Sequence, residues 1–253
     1  MRNLRLDIAY DGTDYFGWQC QPEKPTIQGC IESALERVLA ERVRLIASSR
    51  TDAGVHATGQ VANFPTAVPI PCPNLQKALN DTLPLSIRIL GVREATPDFH
   101  ARYHARVKIY RYRIVQAPVP SPFIARFAHH VPRPLDRVRM SKAARLVEGE
   151  HDFTSFAASD PASSGLRNIP ESAVRCVFLS RLVWRPRTSI LVYEIRGNGF
   201  LYRMVRNIVG TLLEIGLGRL VPDEMGRILD VRQRARAGPT APARGLCLAK
   251  VEY

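Results

Sequence analysis

Between Arg2 and Glu94 the apolar residues switch repeatedly between period 2 and period 3.6, and the order of those switches restricts the fold more than any one motif does. Leu4, Leu6, Ile8 and Tyr10 alternate with polar partners, as in a half-buried strand, and the run ends in the turn signal Asp11-Gly12-Thr13. After Thr26, the residues at 27, 30, 31, 34, 35, 38 and 39 are apolar at helical spacing, so one face of that segment is buried. Val43–Ala47 and 60–64 are β-prone. Pro73–Leu83 predicts a second helix, opened by Pro and Asn and halted by Pro84. Ile87–Glu94 closes the series as a strand. The resulting order, βαββαβ, is that of a ferredoxin-like unit, in which two helices cover one face of an antiparallel sheet. The opposite face then needs a partner, either RNA or a second domain.

The second half repeats the theme with additions. Arg106–Val115 alternates Val107, Ile109, Arg111 and Arg113 against Lys108, Tyr110, Tyr112 and Ile114, an unusual strand rich in aromatics and arginines. The segment 117–122 is Pro-rich and reads as a loop within this half. Leu135–Val147 predicts a helix, and the polar stretch 151–168 predicts a mobile loop. Val174–Trp184 and Ser189–Arg196 predict paired strands. Gly197-Asn198-Gly199 then breaks the chain before a long helix over Leu201–Leu217. Asp223–Val231 predicts a short helix and Leu246–Val251 a last strand. The expected domains are 1–105 and 106–253.

Charge points to the partner. Lys plus Arg exceed Asp plus Glu by 36 − 23 = 13, which favours a polyanion. Of those 36 basic residues 31 are arginine, the better fork for phosphate. Five cysteines, none in a C-x-x-C pair, fit neither a disulfide framework nor a zinc site and indicate a reducing compartment. Charges interrupt the apolar residues of the first positions, so no signal-peptide core is legible, and no window approaches the roughly 20 apolar residues of a membrane span. A soluble cytoplasmic protein is expected. The histidines show no metal-ligand spacing, and no metal is expected.

The stretch that can carry chemistry is Arg50-Thr51-Asp52-Ala53-Gly54-Val55-His56-Ala57. It follows a β-prone run and leads into another, so a short loop presents a carboxylate and an arginine from the end of a sheet. An isolated Asp-Ala-Gly is ordinarily a turn cap. Here all eight residues resemble the catalytic motif of the tRNA pseudouridine synthase A family. Four further stretches resemble that family in the same order. They are Asp11-Gly12-Thr13 with Phe16-Gly17-Trp18-Gln19, then Phe99-His100-Ala101-Arg102 with Tyr110-Arg111-Tyr112-Arg113, then Gly197–Gly210, and finally Ala241–Leu246. Departures are small: Tyr202-Arg203 stands where some members carry histidines, and 157–168 has little recognisable pattern.

The resemblance implies a fold, a reaction and a site. The fold is α+β: two ferredoxin-like halves with mixed, mainly antiparallel sheets, helices on one face, and an active-site cleft between the halves. The reaction is isomerisation of uridine to pseudouridine at positions 38 to 40 of the tRNA anticodon stem-loop, without cofactor or metal, by a homodimer that binds tRNA across both subunits. Asp52 takes the role of the essential aspartate. A carboxylate suits this, being ionised at neutral pH and able to attack the sugar C1′, add to the base, or remove a ribose proton. Arg206 matches the residue that pairs with that aspartate, and Tyr110 the active-site tyrosine that stacks on the base. Leu246 matches the apolar wall of the uracil pocket, and Arg50 steers phosphate or holds open a flipped nucleotide. The run Arg232, Arg234, Arg236 reads as a phosphate-binding arm. A non-catalytic RNA-binding protein on this scaffold would share the charge and the aromatic strands but would not need Asp52 and Arg206. A synthase acting on another RNA differs only in substrate.

Overall fold

A computed structural model describes residues 1–158 and 172–253. The chain divides into two compact units, one of Met1–Arg106 with Cys247–Tyr253 and one of Val107–Leu246. The C-terminal residues therefore pack with the first unit, not with the half that precedes them.

In the first unit the order is β1 (Arg2–Tyr10), α1 (Ile27–Leu39), β2 (Ile46–Ala47), β3 (His56–Thr66), α2 (Cys72–Thr82) and β4 (Ile87–Ala95). The βαββαβ order is present, with β1 antiparallel to both β4 and β3, and β2 antiparallel to β3. Leu4, Leu6 and Ile8 are fully buried, as are Ile27, Ile31 and Leu35 of α1 and Leu75 and Leu79 of α2. Thr26 caps α1 by accepting from the Gly29 amide. The strand expected over 43–47 shrinks to Ile46–Ala47. The backbone of Leu45 is engaged by side chains of α1, its amide donating to Glu32 Oε1 and its carbonyl accepting from Gln28 Nε2.

The other face of this sheet is covered in part by the chain's own residues. Asn63 and Asn3 bond the backbone of Phe99 and Ala101, and the Arg5 guanidinium lies 4.5 Å from the Tyr253 ring centre. Beyond the end of α2, Arg88 Nη1 donates to the carbonyl of the C-cap residue Leu83 and to those of Pro84 and Ile87 in the connection to β4.

The second unit runs β5 (Val107–Val115), α3 (Pro122–Ala125), β6 (His129–His130), α4 (Arg137–Arg145), β7 (Gly149–Asp152), β8 (Val174–Arg185), β9 (Ile190–Gly197), α5 (Met204–Gly216) and α6 (Glu224–Val231). The last strand, β10, spans Leu246–Glu252 and pairs parallel to β3 at Cys247↔His56 and Leu248↔Ala57. Antiparallel pairing orders the second unit's sheet β5-β9-β8-β7, with β6 parallel to β5. Tyr112, Tyr193 and Ile195 are fully buried on one sheet face, where Tyr193 Oη lies 2.8 Å from Ser180 Oγ.

In the second unit α3, β6 and β7 add to the expected elements, and two expected ones differ in extent. The long helix begins at Met204, because Arg203 adopts a left-handed φ of 58° and Leu201–Arg203 form a turn. Of the polar stretch 151–168, His151–Asp152 complete β7 and Thr154–Phe156 form a 3₁₀ turn. That turn is fixed by Asp152 Oδ1, which accepts from the Thr154 amide, and by the fully buried rings of Phe153 and Phe156. The part of the expected mobile loop over 159–168 lies outside the described residues.

Across β5, β9 and β8, Glu194 sits opposite both Arg111 and Arg181. Its side chain is only 6% exposed, and its carboxylate meets Arg111 Nε at 2.7 Å, Arg196 Nη2 at 2.8 Å and Arg181 Nη2 at 3.1 Å. Burial pushes the carboxyl up, and the hydrogen bonds and charges of Arg111 and Arg196 more than reverse this, holding it at about 2. A carboxyl depressed in the folded state stabilises the protein above its unfolded value and loses that contribution as pH falls through its folded one. At pH 7, Glu194→Gln should therefore melt several degrees below wild type. The gap should narrow below the ordinary value of 4.5 and vanish near pH 2. Paired thermal melts from pH 7 to 2 test this; a constant gap would mean that packing, not charge, is what Gln loses.

Candidate active site

The loop between β2 and β3 carries Thr51 buried, Asp52 half-buried and Arg50 exposed. Asp52 is its only carboxylate. The segment after β1 clasps this loop through its backbone. The Trp18 amide donates to the Thr51 carbonyl at 3.0 Å and the Gly54 amide to the Tyr15 carbonyl at 3.3 Å, while within the loop the Val55 amide closes a turn onto the Asp52 carbonyl at 3.1 Å. Tyr10 Oη lies 2.8 Å from Thr51 Oγ1.

Two glycines make the clasp possible. A Cβ at Gly12 would stand 2.0 Å from the Val55 carbonyl oxygen, and one at Gly17 would stand 2.7 Å from that of Thr51. Gly17 also has φ +89°, a conformation other residues rarely adopt. The Gly12 amide donates to His56 Nδ1 at 3.1 Å. Asp11 Oδ1 lies at the same distance from that nitrogen, an ion pair only when the imidazole is protonated.

Upstream, fully buried Gln60 fixes the chain that leads to Arg50. Its Oε1 accepts from Ser48 Oγ at 2.7 Å and its Nε2 donates to the Ser49 carbonyl at 2.8 Å. The loop is thus bound on both sides of Asp52, which is what holding a reacting group in place requires. From the sequence, Gly12 belongs to a turn and Gly17 has no task. The signal available was a pair of glycines with no turn of their own to explain the second.

Arg206, Tyr110 and Leu246 belong to the second unit. Arg206 lies in the first turn of α5, half-buried, with Nε donating to the Ala241 carbonyl at 2.8 Å and its own carbonyl accepting from the Ala241 amide. Tyr110, on β5, is buried and meets the Phe200 ring edge-on at 5.3 Å. Two residues along, Tyr112 donates from Oη to the Pro242 carbonyl at 2.8 Å. Burial pushes the Tyr112 phenol well up, against the nearby charges of Arg206 and Arg244. Gly245 lies so close that a Cβ there would stand 2.5 Å from the Tyr112 ring. The segment 239–246 therefore joins Arg206, the tyrosine strand and buried Leu246.

Asn207, fully buried, secures that segment. Its Oδ1 accepts from Thr240 Oγ1 at 2.7 Å and Arg234 Nη2 at 3.1 Å, and its Nδ2 donates to the Phe156 carbonyl at 2.7 Å. Arg234 also donates through Nη1 to the carbonyls of Ala237 and Gly238. Burial pushes its guanidinium pKa down. The run Arg232, Arg234, Arg236 is thus not a simple phosphate-binding arm. Arg234 is turned inward to satisfy a bend, and Arg232 pairs with Asp152 at 3.2 Å. Among the described residues, no group of three or more His, Cys, Asp or Glu is placed to hold a metal ion. No helix among them is long and apolar enough to cross a membrane.

The family described as tRNA pseudouridine synthase matches residues 8–104 and 143–253. Curated relatives named tRNA pseudouridine synthase A match throughout. The Moorella thermoacetica protein is 46% identical over 253 residues, covering 99% of each chain. The Solibacter usitatus protein is 47% identical over 254 residues, covering 100% of each. The Brevibacillus brevis protein is 47% identical over 253 residues, again covering 100% of each.

The clasp predicts unequal effects for one change made at two glycines. Gly12→Ala drives a methyl into the Val55 carbonyl and should lower the melting temperature by roughly 5 °C or more. Gly226→Ala, inside α6 with nothing within 4 Å of the new methyl, should leave it unchanged or raise it slightly. Equal melting temperatures for the two variants would show that the close approach at Gly12 is dispensable.

Proposed function

The chain belongs to the tRNA pseudouridine synthase family, and from that premise we propose that it converts uridine to pseudouridine in tRNA, at positions 38 to 40 of the anticodon stem-loop. The observation that carries this is a single carboxylate, Asp52, on a loop bound through its backbone on both sides. The reaction breaks the N1–C1′ bond, turns the uracil and forms the C5–C1′ bond. Electrons and atoms balance within the nucleotide, so the chemistry calls for no redox cofactor. Asp52 is the catalytic residue, attacking C1′, adding to the base or removing a ribose proton; each route needs a carboxylate whose position is fixed.

Arg206 supplies the catalytic cation, including the pairing with Asp52 that the family resemblance implies. Tyr110 stacks on the target base and Leu246 lines the apolar side of its pocket. Arg50, exposed beside Asp52, contacts the backbone of the extruded nucleotide. The working enzyme is a cytoplasmic homodimer that binds tRNA across both subunits.

The direct test is incubation with an unmodified tRNA transcript, followed by chemical mapping of pseudouridine. Asp52→Asn should abolish product while leaving tRNA binding and melting temperature near wild type. Turnover above a small fraction of wild type would move the catalytic group elsewhere. A purely RNA-binding protein would give no product with either chain.

Arg206 separates chemistry from binding. Arg206→Met keeps most of the alkyl stem, so it should lower kcat far more than it weakens tRNA affinity. Arg206→Lys should recover only part of the loss, because one ammonium cannot reproduce the fork that also holds the Ala241 carbonyl. A methionine variant whose defect lay wholly in affinity would make Arg206 a phosphate contact instead.

A further inference from the structure

The two faces of the second unit's sheet are chemically unlike. One buries Tyr112, Tyr193 and Ile195. On the other, strand alternation and cross-strand register place Arg111 and Arg113 of β5, Arg196 of β9, and Arg181 and Arg185 of β8. Arg111, Arg113, Arg181 and Arg185 are exposed. Glu194 is the only acidic residue of the three strands, so the face carries five guanidiniums against one carboxylate, 5 − 1 = +4.

That carboxylate lies beneath the guanidiniums. Glu194 is nearly covered, and it orients Arg111, Arg181 and Arg196 without reaching the surface. Arg111 is engaged through Nε, so its terminal nitrogens have no protein partner among the described residues, nor do the guanidiniums of Arg113 and Arg185. Guanidiniums with donors to spare suit phosphate oxygens, and those that Glu194 already holds lose little freedom on binding them. Alternate residues along a strand repeat at about 6.6 Å and neighbouring strands at about 4.8 Å, a grid comparable to the spacing of successive phosphates.

We propose that this arginine face is a docking surface for the phosphodiester backbone of the RNA substrate, contributing affinity rather than chemistry. It rests on the reading above only in taking RNA as the partner. A second copy of the chain is a poor occupant, because apposing two such faces would bring like charges together.

The test uses the full chain and a tRNA transcript, with dissociation constants measured by fluorescence anisotropy at several salt concentrations. Arg113 and Arg185 stand outside the Glu194 cluster, so Arg113→Gln with Arg185→Gln removes two cations without exposing a buried acid. If each contacts one phosphate, the log–log salt slope should become shallower by roughly 1.4 to 1.8, and the dissociation constant at moderate salt should rise about ten- to thirtyfold. Arg139→Gln with Arg145→Gln, on α4, removes the same charge elsewhere and should change both quantities much less.

An unchanged slope in the Arg113/Arg185 variant overturns the proposal. Equal loss in both double variants overturns it too, by showing an effect of net charge alone. A change of mass in light scattering for the sheet variant alone assigns the face to a contact between copies instead. Because the readout is equilibrium binding, a protein that bound RNA but made no pseudouridine would refute the activity proposed above and leave this surface standing.

Discussion

A carboxylate can act on a nucleotide only if its backbone stays put, and here the backbone of one loop is gripped by the backbone of another. The turn after β1 and the Asp52 loop approach so closely that neither Gly12 nor Gly17 has room for a methyl group. Main-chain bonds at Trp18, Gly54 and Val55 then fix the loop independently of the Asp52 side chain. None of those main-chain bonds uses the Asp52 carboxylate. The clasp also gives a motif near the N-terminus a task in holding a loop some forty residues later.

The second unit solves a related problem with buried side chains. The irregular segment 239–246 has carbonyls that no helix or sheet satisfies, and an unpaired buried polar group costs about 1–3 kcal/mol. Tyr112 and Arg206 donate to the carbonyls of Pro242 and Ala241, while Arg234 Nη2 and Asn207 Oδ1 engage the Thr240 hydroxyl. Arg206 is therefore both a candidate for chemistry and a fastener of the chain beside it. Its neighbour Asn207 is fully buried and takes no part that requires contact with substrate.

The net charge of +13 is unevenly spent. Arg88 bonds the C-cap carbonyl of α2, Arg234 fills a bend and Arg5 lies against an aromatic ring; these satisfy the protein itself. Glu194 has the inverse role, one acid that arranges three cations and leaves a sheet face positive. A formal count cannot tell such uses apart, because it depends on which acceptors tertiary folding brings within reach.

Much of the fold was legible because periodicity is local. The alternation of Leu4, Leu6, Ile8 and Tyr10, the helical spacing from Ile27 to Leu39 and the stop at Pro84 gave the first unit's element order, and the Arg50–Ala57 run gave the candidate loop. The same local rules misjudged Val43–Ala47, whose backbone is bonded by side chains of α1, and the start of α5, where Arg203 turns left-handed. They also took Arg234 for a surface group, since a sequence does not say which way an arginine points. By itself the sequence determined most of the strands and helices and where a carboxylate could be presented. Only the tertiary structure decided that β10 pairs with β3, that two glycines clasp the Asp52 loop, and that Arg234 turns inward. Those outcomes depend on hydrogen-bond partners and close approaches between residues far apart in the chain, which no local pattern of residue types encodes.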